Sequence, residues 1–265
     1  MISLLQLLNE VEKKPKAIIL AGAPGAGKGY VLKGLDLNGL KIMNIDNSFI
    51  NKLKQANVSL DLKNSTPEER SEAAKAMAAA NKEFKGELQN VIDGKQSFIL
   101  DGTAASYKKT AELKQQLEEA GYKVMMLYVY TDLQRSLSQN QDRYRKSDGE
   151  DRSLAPAIVM RTWKSVTENL PKYADLFGNN FVAVANTLDD RMQDIDKIID
   201  KYLKPFTPKN TKPKTPAQQK KSDERNAQDK KEIQAMLSDD FVYDVIEYTM
   251  SKEEAQMRIS KFLNS

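Results

Sequence analysis

Five short apolar stretches recur along the chain up to residue 186, and most are followed by a longer segment with helical periodicity. The apolar stretches lie at 17–21, 40–46, 97–103, 123–130 and 181–186. Their length and their alternation with helical segments are typical of buried strands in βαβ units. The pattern therefore predicts an α/β fold with a doubly wound, mostly parallel five-stranded sheet and right-handed crossovers.

The predicted helices carry recognisable start signals. Thr66, Pro67 and Glu69 form the pattern of a capping box, with threonine at the N-cap and glutamate three residues later. We expect this helix to continue to about residue 93. Other helices are predicted at 4–11, 108–120, 132–145, 154–166 and 189–203.

Beyond residue 204 the pattern changes. Residues 205–229 are almost devoid of apolar side chains and contain four prolines, which indicates a basic Pro/Lys-rich linker. Amphipathic patterns return in the last 36 residues, at 231–237, 241–248 and 251–263. Such a tail is too short to fold alone, so we expect it to pack on the preceding domain or on a protein partner. The predicted organisation is an α/β domain at 1–204, a linker at 205–229 and a C-terminal helical tail at 230–265.

The composition excludes several kinds of chemistry. The 265 residues contain no cysteine and no histidine, which rules out a disulfide framework, a thiolate nucleophile, imidazole catalysis and the usual zinc ligands. With no long apolar run and no leader-like N-terminus, the chain is expected to be cytoplasmic and without a membrane contact. The net charge of +4 comes from residues 201–231, which hold ten Lys or Arg against three Asp or Glu.

A glycine-rich loop follows the first predicted strand, where residues 22–28 read GAPGAGK. The spacing G-x-x-x-x-G-K places main-chain N–H groups, a helix N-terminus and one mobile cation around a phosphate chain. We therefore predict a P-loop nucleotide site, with a plain glycine-rich turn as the alternative. The predicted nucleotide-binding residues are Gly22, Ala23, Pro24, Gly25, Ala26, Gly27, Lys28, Gly29 and Tyr30.

The residues after the P-loop lysine depart from the strict pattern. Ser or Thr normally follows that lysine and reaches Mg²⁺ through its hydroxyl, whereas this chain has Gly29 and then Tyr30. Adenylate kinases and related small-molecule kinases have a similar G-x-P-G-x-G-K-G loop, but they place Thr where Tyr30 stands. We expect Mg²⁺ to be held by carboxylates and water instead.

Two acids and two arginines join Lys28 as the predicted catalytic residues. Asp46 and Asp101 end two predicted strands, and the carboxyl ends of parallel strands form the ligand-binding edge of an open sheet. Both are candidate Mg²⁺ ligands and acids that steer the acceptor hydroxyl. Arg143 and Arg152 flank a polar break and are candidate lid cations. The alternatives are helix N-caps for the acids and solvated helix ends for the arginines.

Six segments occur in a characteristic order between about residues 15 and 190. They are GAPGAGKGY, IDNSF, ILDGTAAS, AGYKVMMLYVY, NQDRYR and DRSLAP. Their succession resembles the zeta-toxin type of P-loop kinase, which phosphorylates a hydroxyl of a nucleotide sugar with ATP and Mg²⁺. The resemblance implies that Lys28 is the P-loop lysine, that Asp101 is the acid of the acid-Gly-Thr motif, and that Arg143 and Arg152 clasp the phosphates.

One position departs from that family in a way that affects catalysis. The family's acceptor base is the second acid of an Asp-Asn-Asp run, and this chain reads Asp46-Asn47-Ser48. A serine does not accept a proton at neutral pH. Three explanations stay open: Asp46 takes over as the base, the acceptor differs, or turnover is lost.

Three functions compete at this point. The leading hypothesis is an ATP-dependent kinase that phosphorylates a hydroxyl of a small nucleotide-like or sugar-nucleotide acceptor. The second is a 5′-hydroxyl polynucleotide kinase, because the basic residues of 201–231 are suited to a phosphate backbone, although that segment lacks interleaved aromatic side chains. The third is a nucleotide-binding assembly protein without turnover, with the tail as its docking element. Ser48 favours the third hypothesis, and Asp101, Arg143 and Arg152 together oppose it.

Overall fold

The computed structural model describes residues 14–35, 37, 39–62, 65–147, 151–152, 154–187, 215–236 and 245–265. Its strands are β1 (Lys16–Ala21), β2 (Lys41–Asn44), β3 (Phe98–Asp101), β4 (Lys123–Tyr130) and β5 (Phe181–Ala185). Its helices are α1 (Lys28–Lys33), α2 (Ile45–Gln55), α3 (Pro67–Asp93), α4 (Tyr107–Glu119), α5 (Leu133–Lys146), α6 (Pro156–Glu168), α7 (Leu170–Phe177), α8 (Pro216–Met236) and α9 (Lys252–Asn264). The predicted α/β fold is confirmed.

All five strands are parallel and lie in the order β2-β3-β1-β4-β5. The connection after β1 runs towards the β2 edge of the sheet, whereas the connection after β3 runs towards the β5 edge. A crevice therefore opens at the carboxyl ends of β1 and β3, where ligands bind in sheets of this kind. Two main-chain hydrogen bonds join these ends, from Gly22 N to Thr103 O and from Gly102 N to Leu20 O, both 3.3 Å long.

Both faces of the sheet are covered by helices, because successive residues of a strand point to opposite faces. Ile19 belongs to a core that includes side chains of α3, α4, α6 and α7. Its neighbours Ile18 and Leu20 belong to a second core with α1 and α9. The near-continuous apolar sequence of β1 is thus explained by burial on both sides.

The C-terminal tail packs on the α/β domain. Met250 pairs with Val184 at the outer edge of β5, and its N–H donates to Ala183 O at 2.8 Å. Helix α9 then buries Ala255, Ile259 and Phe262 against the sheet. The apolar spacing of 251–263 predicts such a helix. A protein partner for the tail stays a prediction.

The second half of the predicted linker at 205–229 is helical, because α8 begins at Pro216. Thr215 and Gln218 cap each other at the start of this helix, and polar pairs one turn apart follow, such as Gln219 with Asp223 at 2.7 Å. These local pairs stabilise a mostly exposed helix that the search for apolar periodicity misses. The domain boundaries at 204 and 229 stay predictions.

Several predicted helices are confirmed with small changes at their ends. Thr66 and Glu69 form the expected capping box at the start of α3. The predicted helix at 154–166 is followed by a separate one, α7, which sequence analysis did not distinguish. The helices predicted at 4–11 and 189–203 lie outside the described residues. Within the part of the chain that is described, no helix combines the length and the apolar character needed to cross a membrane.

Candidate active site

The loop between β1 and α1 is held in place by two neighbouring elements. Gly25 has φ 76°, and a Cβ built on it would lie 2.4 Å from the main-chain oxygen of Ser136 in α5. The Ser136 hydroxyl donates to Pro24 O at 2.6 Å. From the other side, Asn186, which follows β5, donates through Nδ2 to Ala26 O at 2.7 Å. The loop thus requires glycine where α5 approaches its backbone closely.

The loop presents main-chain donors that are not used within the protein. In the described part of the chain, the N–H groups of Gly25, Gly27, Lys28 and Gly29 donate to no other group. Backbone N–H groups arranged around a concave turn at a helix N-terminus bind anions. The loop therefore fits a phosphate chain.

Lys28 supplies the positive charge beside these N–H groups. Its Nζ donates to Gly22 O at 3.2 Å and to Ala23 O at 3.5 Å, so the side chain folds back over the loop. Burial lowers the pKa of the Lys28 ammonium, and the carboxylates of Asp101 and Asp46 oppose that shift. Both acids therefore act electrostatically on this ammonium.

Tyr30, the unusual residue after Gly29, does not fill the loop. Its side chain is 66% exposed, and the Lys252 ammonium of α9 lies 4.8 Å from the centre of its ring. The Tyr30 ring therefore does not block the candidate phosphate-binding loop.

Asp101 ends β3 beside the loop, as predicted. Asn44 Nδ2 donates to Asp101 Oδ2 at 2.8 Å. Burial raises the pKa of the Asp101 carboxyl and the charge of Asp46 adds to this effect, whereas Lys28, the hydrogen bond from Asn44, and Arg143 oppose it. A partly buried carboxylate next to a candidate phosphate site is suited to hold Mg²⁺.

Asp46 lies in a different element from the one predicted. The strand β2 stops at Asn44, and Asp46 is in the first turn of α2, where its N–H donates to Asn44 Oδ1 at 2.7 Å. The strand is shorter than the sequence suggests because the Asn44 side chain caps the helix two residues before the predicted strand end. Asp46 thus lies in a helix and not in a strand, but it still belongs to the candidate site.

Arg152 joins Asp46 across the site. Its Nη2 lies 2.6 Å from Asp46 Oδ1, and its guanidinium lies 5.6 Å from the centre of the Phe49 ring. Arg152 Nε is buried and has no hydrogen-bond partner among the described residues. A buried donor without a partner is costly, so this nitrogen fits an additional anionic ligand such as a phosphate oxygen.

Ser48 and Asp46 lie on different faces of α2. Residues three apart on a helix share a face, and residues two apart are separated by roughly 200°. Asp46 and Phe49 therefore lie on the face that contacts Arg152, whereas Ser48 lies on the far side. Asp46 is the carboxylate of this turn that reaches the site.

Arg143 completes the predicted set near the end of α5. Its Nε donates to Asp151 Oδ2 at 2.7 Å, and the Arg152 N–H donates to the other oxygen of Asp151 at 2.8 Å. Asp151 thus connects the two arginines. Burial is the main cause of the lowered pKa of Lys28 and the raised pKa of Asp101; the charge of Arg143 adds to the first shift and opposes the second.

Sequence analysis missed three residues that shape the site, namely Asn44, Ser136 and Asn186. An Asn between an apolar strand and a helix is an N-cap signal, and it was available for Asn44. Ser136 and Asn186 act on the loop from α5 and from the end of β5. Contacts between segments so far apart in sequence leave no local signal.

The candidate metal site offers few acidic ligands. Among the described residues, no group of three or more Asp or Glu side chains is close enough to form a metal cage, and Asp46 is already paired with Arg152. Asp101 is therefore the best-placed protein ligand. Mg²⁺ commonly uses one or two carboxylates and completes its shell with phosphate oxygens and water, so this donor set fits Mg²⁺ bound together with a nucleotide.

A phosphate-binding loop after β1, a 2-3-1-4-5 parallel sheet, a strand-end carboxylate and a lid arginine define a P-loop phosphotransferase. The Zeta toxin family model matches residues 4–201 of this chain. The chain belongs to the Zeta toxin family, a family of P-loop kinases that phosphorylate sugar nucleotides with ATP. Among curated proteins, no sequence matches the chain significantly.

Solved structures are similar in fold at low sequence identity. The PezAT toxin-antitoxin structure from Streptococcus pneumoniae is 18% identical, with a TM-score of 0.48, and the match covers 88% of this chain and 92% of that one. The native AvrRxo1-ORF1:-ORF2 complex is 16% identical, with a TM-score of 0.50 and coverage of 96% and 82%. The same complex with ATP is 15% identical, with a TM-score of 0.48 and coverage of 94% and 80%. At these identities the likeness establishes the fold alone.

Proposed function

We propose that this protein transfers the γ-phosphoryl group of ATP to a hydroxyl of a sugar nucleotide. The observation that supports this best is the convergence of Lys28, Asp46, Asp101 and Arg152 beside a loop with unused N–H donors. Phosphoryl transfer requires a phosphate cradle, a metal-binding acid, an acid that orients the acceptor, and cations for the developing charge. Each requirement is met by a different residue of this group.

ATP binds with its phosphates on the loop in this proposal. The N–H groups of residues 25, 27, 28 and 29 contact the phosphate oxygens, and Lys28 leaves the carbonyls of Gly22 and Ala23 to pair with the β and γ phosphates. Asp101 is the protein ligand for Mg²⁺, which supplies charge neutralisation for the β and γ phosphates when it is bound.

Asp46 is the acid that accepts the proton of the acceptor hydroxyl. It lies on the site-facing side of α2, and Arg152 keeps it in place through a 2.6 Å ion pair. The guanidinium of Arg152 has further donors, including the unpaired Nε, that reach a phosphate without releasing Asp46. Arg143 adds positive charge from the end of α5. The family's usual second acid is then not required at Ser48.

Transfer of label from γ-labelled ATP to a panel of sugar nucleotides tests this proposal. The parent protein should give a labelled product that Lys28→Ala abolishes. Asp46→Asn should remove product formation but change ATP affinity by less than about threefold, since Asp46 acts on the acceptor. Gln115→Ala, at an exposed position of α4, is the control and should behave as the parent.

Three results would contradict the proposal in distinguishable ways. Binding of ATP by the parent without any product would favour the non-catalytic assembly protein. Transfer to a 5′-hydroxyl oligonucleotide instead of a sugar nucleotide would favour the polynucleotide kinase. Parental turnover by Asp46→Asn would leave the reaction but remove Asp46 as its base.

A further inference from the structure

One amide side chain connects the two catalytic carboxylates. Asn44 Nδ2 donates to Asp101 Oδ2 at 2.8 Å, and Asn44 Oδ1 accepts from the N–H of Asp46 at 2.7 Å. Both polar atoms of the amide are thus engaged, one with the acid at the end of β3 and the other with the first turn of α2. We propose that Asn44 is a positioning residue that fixes Asp46 and Asp101 relative to each other, an inference that rests on the kinase function proposed above.

The register of the sheet places Asn44 where it can do this. Asn44 and Asp101 lie directly opposite each other as partners in the parallel pair of β2 and β3. They are the last residues of their strands, so their side chains meet at the edge of the crevice. The contact is a consequence of strand pairing and does not depend on a mobile loop.

Asn44 also sets where α2 begins. Its side chain caps the helix by accepting from the N–H of Asp46, and this bond determines how the first turn leaves the end of β2. That first turn carries Asp46. Phe49, three residues further along the helix, packs against Arg152. A shift of the cap would therefore move the acceptor base and the surface that supports the lid arginine together.

The bond to Asp101 has a separate effect. It holds one oxygen of the carboxylate, while Asp101 Oδ1 makes no hydrogen bond within the described residues. A carboxylate held in this way presents its other oxygen in a defined direction, as groups behind metal ligands do when they orient them. Asn44 touches neither the phosphates nor the acceptor, so its role is indirect.

Few other side chains can replace Asn44, because the position requires one donor and one acceptor on the same group. Serine retains the capping oxygen, but it is one bond shorter and does not reach Asp101. Aspartate keeps the size and the capping oxygen, but it places a second carboxylate against Asp101 instead of a donor. Alanine removes both bonds. These variants separate the two functions of the amide.

The test measures kcat, both KM values and thermal stability for Asn44→Ser and Asn44→Asp, with Thr66→Ala as the matched control. Thr66 caps α3 in the same way, and its side chain bonds to the N–H of Glu69 and not to a residue of the site, so its variant reports the effect of a lost cap. We expect Asn44→Ser to keep the parental melting temperature and to change the KM for ATP by less than about threefold. Its kcat should fall about 10- to 100-fold, the range for residues that orient a metal ligand. Asn44→Asp should lower kcat further because of like-charge repulsion.

The outcomes distinguish this inference from the proposed function. If the parent turns over and Asn44→Ser has the parental kcat, or if Thr66→Ala loses as much kcat as Asn44→Ser, the positioning role is overturned while the kinase function stands. If the parent shows no turnover, the proposed function fails, and crystal structures of the parent and Asn44→Ser decide the inference. An unchanged separation and orientation of the Asp46 and Asp101 carboxyl groups in the variant would overturn it.

Discussion

Two glycines of the phosphate loop should respond in opposite ways to the addition of a single methyl group. Gly25 has φ 76°, and its added Cβ would lie 2.4 Å from the main-chain oxygen of Ser136. Gly29 is in α1, and its added Cβ would meet nothing within 4 Å. We predict that Gly25→Ala weakens ATP binding and that Gly29→Ala does not.

The magnitude follows from the geometry of Gly25. A left-handed backbone costs a residue with a Cβ about 1–2 kcal/mol. The contact partner is backbone, so relief requires the loop to move away from α5 and to lose the bond from the Ser136 hydroxyl to Pro24 O, which is worth about 0.5–1.5 kcal/mol. Together these effects amount to about 1.5–3.5 kcal/mol, or roughly a 10- to 300-fold loss of ATP affinity.

Gly29→Ala provides the control. Replacing a helical glycine by alanine stabilises a protein by about 0.4–1 kcal/mol when the backbone conformation suits alanine. Other P-loops carry Ser or Thr at this position, so a Cβ there is compatible with bound phosphates. ATP affinity should therefore stay within about threefold of the parent.

Isothermal titration calorimetry with ATP and Mg²⁺, together with thermal denaturation of each apo variant, measures both effects. Parental ATP affinity in Gly25→Ala would refute the reasoning, because it would mean that α5 does not hold the loop in its binding conformation. Equal losses in Gly25→Ala and Gly29→Ala would refute it as well, since the loss would then not come from the clash.

Two further predictions concern the lid and the tail. Arg152→Met should lower kcat by about 10³-fold. Arg152→Lys should recover little of the lost kcat, because an ammonium lacks the forked donors that contact Asp46 and a phosphate together. Steady-state kinetics measure kcat, and a near-parental value in either variant would contradict this prediction. Phe262→Ala should lower the free energy of unfolding by about 3–5 kcal/mol, since this buried ring of α9 packs on the sheet. Urea denaturation measures this free energy. A loss below about 1 kcal/mol would show that α9 is not part of the cooperative unit.

The sequence predicts the sheet well because its signal is local. Buried parallel strands are apolar on both faces, and β4 (Lys123–Tyr130) has the predicted bounds. The capping pattern at Thr66 likewise identifies the start of α3. Helix α8 was missed because its polar sequence and neighbouring prolines suggest a linker, and only pairs one turn apart reveal its helical character.

The candidate site was predicted in part, and the missing part follows from topology. Lys28 and Asp101 occur in recognisable motifs at strand ends, so sequence order places them beside each other once the sheet is assumed. The anchoring of the loop by Ser136 and Asn186 depends on how α5 and the end of β5 pack. The bond from Asn44 to Asp101 depends on the register of β2 with β3, which the sequence does not specify.

The two departures from the family pattern, Ser48 and Gly29, concern different parts of the proposed mechanism. Ser48 lies on the side of α2 away from Arg152, so a carboxylate there would not replace Asp46 without a rotation of the helix. Gly29 removes a hydroxyl that other P-loops offer to the metal, and the described residues provide no cluster of acids to compensate for it. In the mechanism proposed above, the metal shell is therefore where this chain differs most from other P-loop kinases. Because that proposed shell depends on the single carboxylate of Asp101, the mechanism gives particular weight to Asn44, the residue that holds this carboxylate.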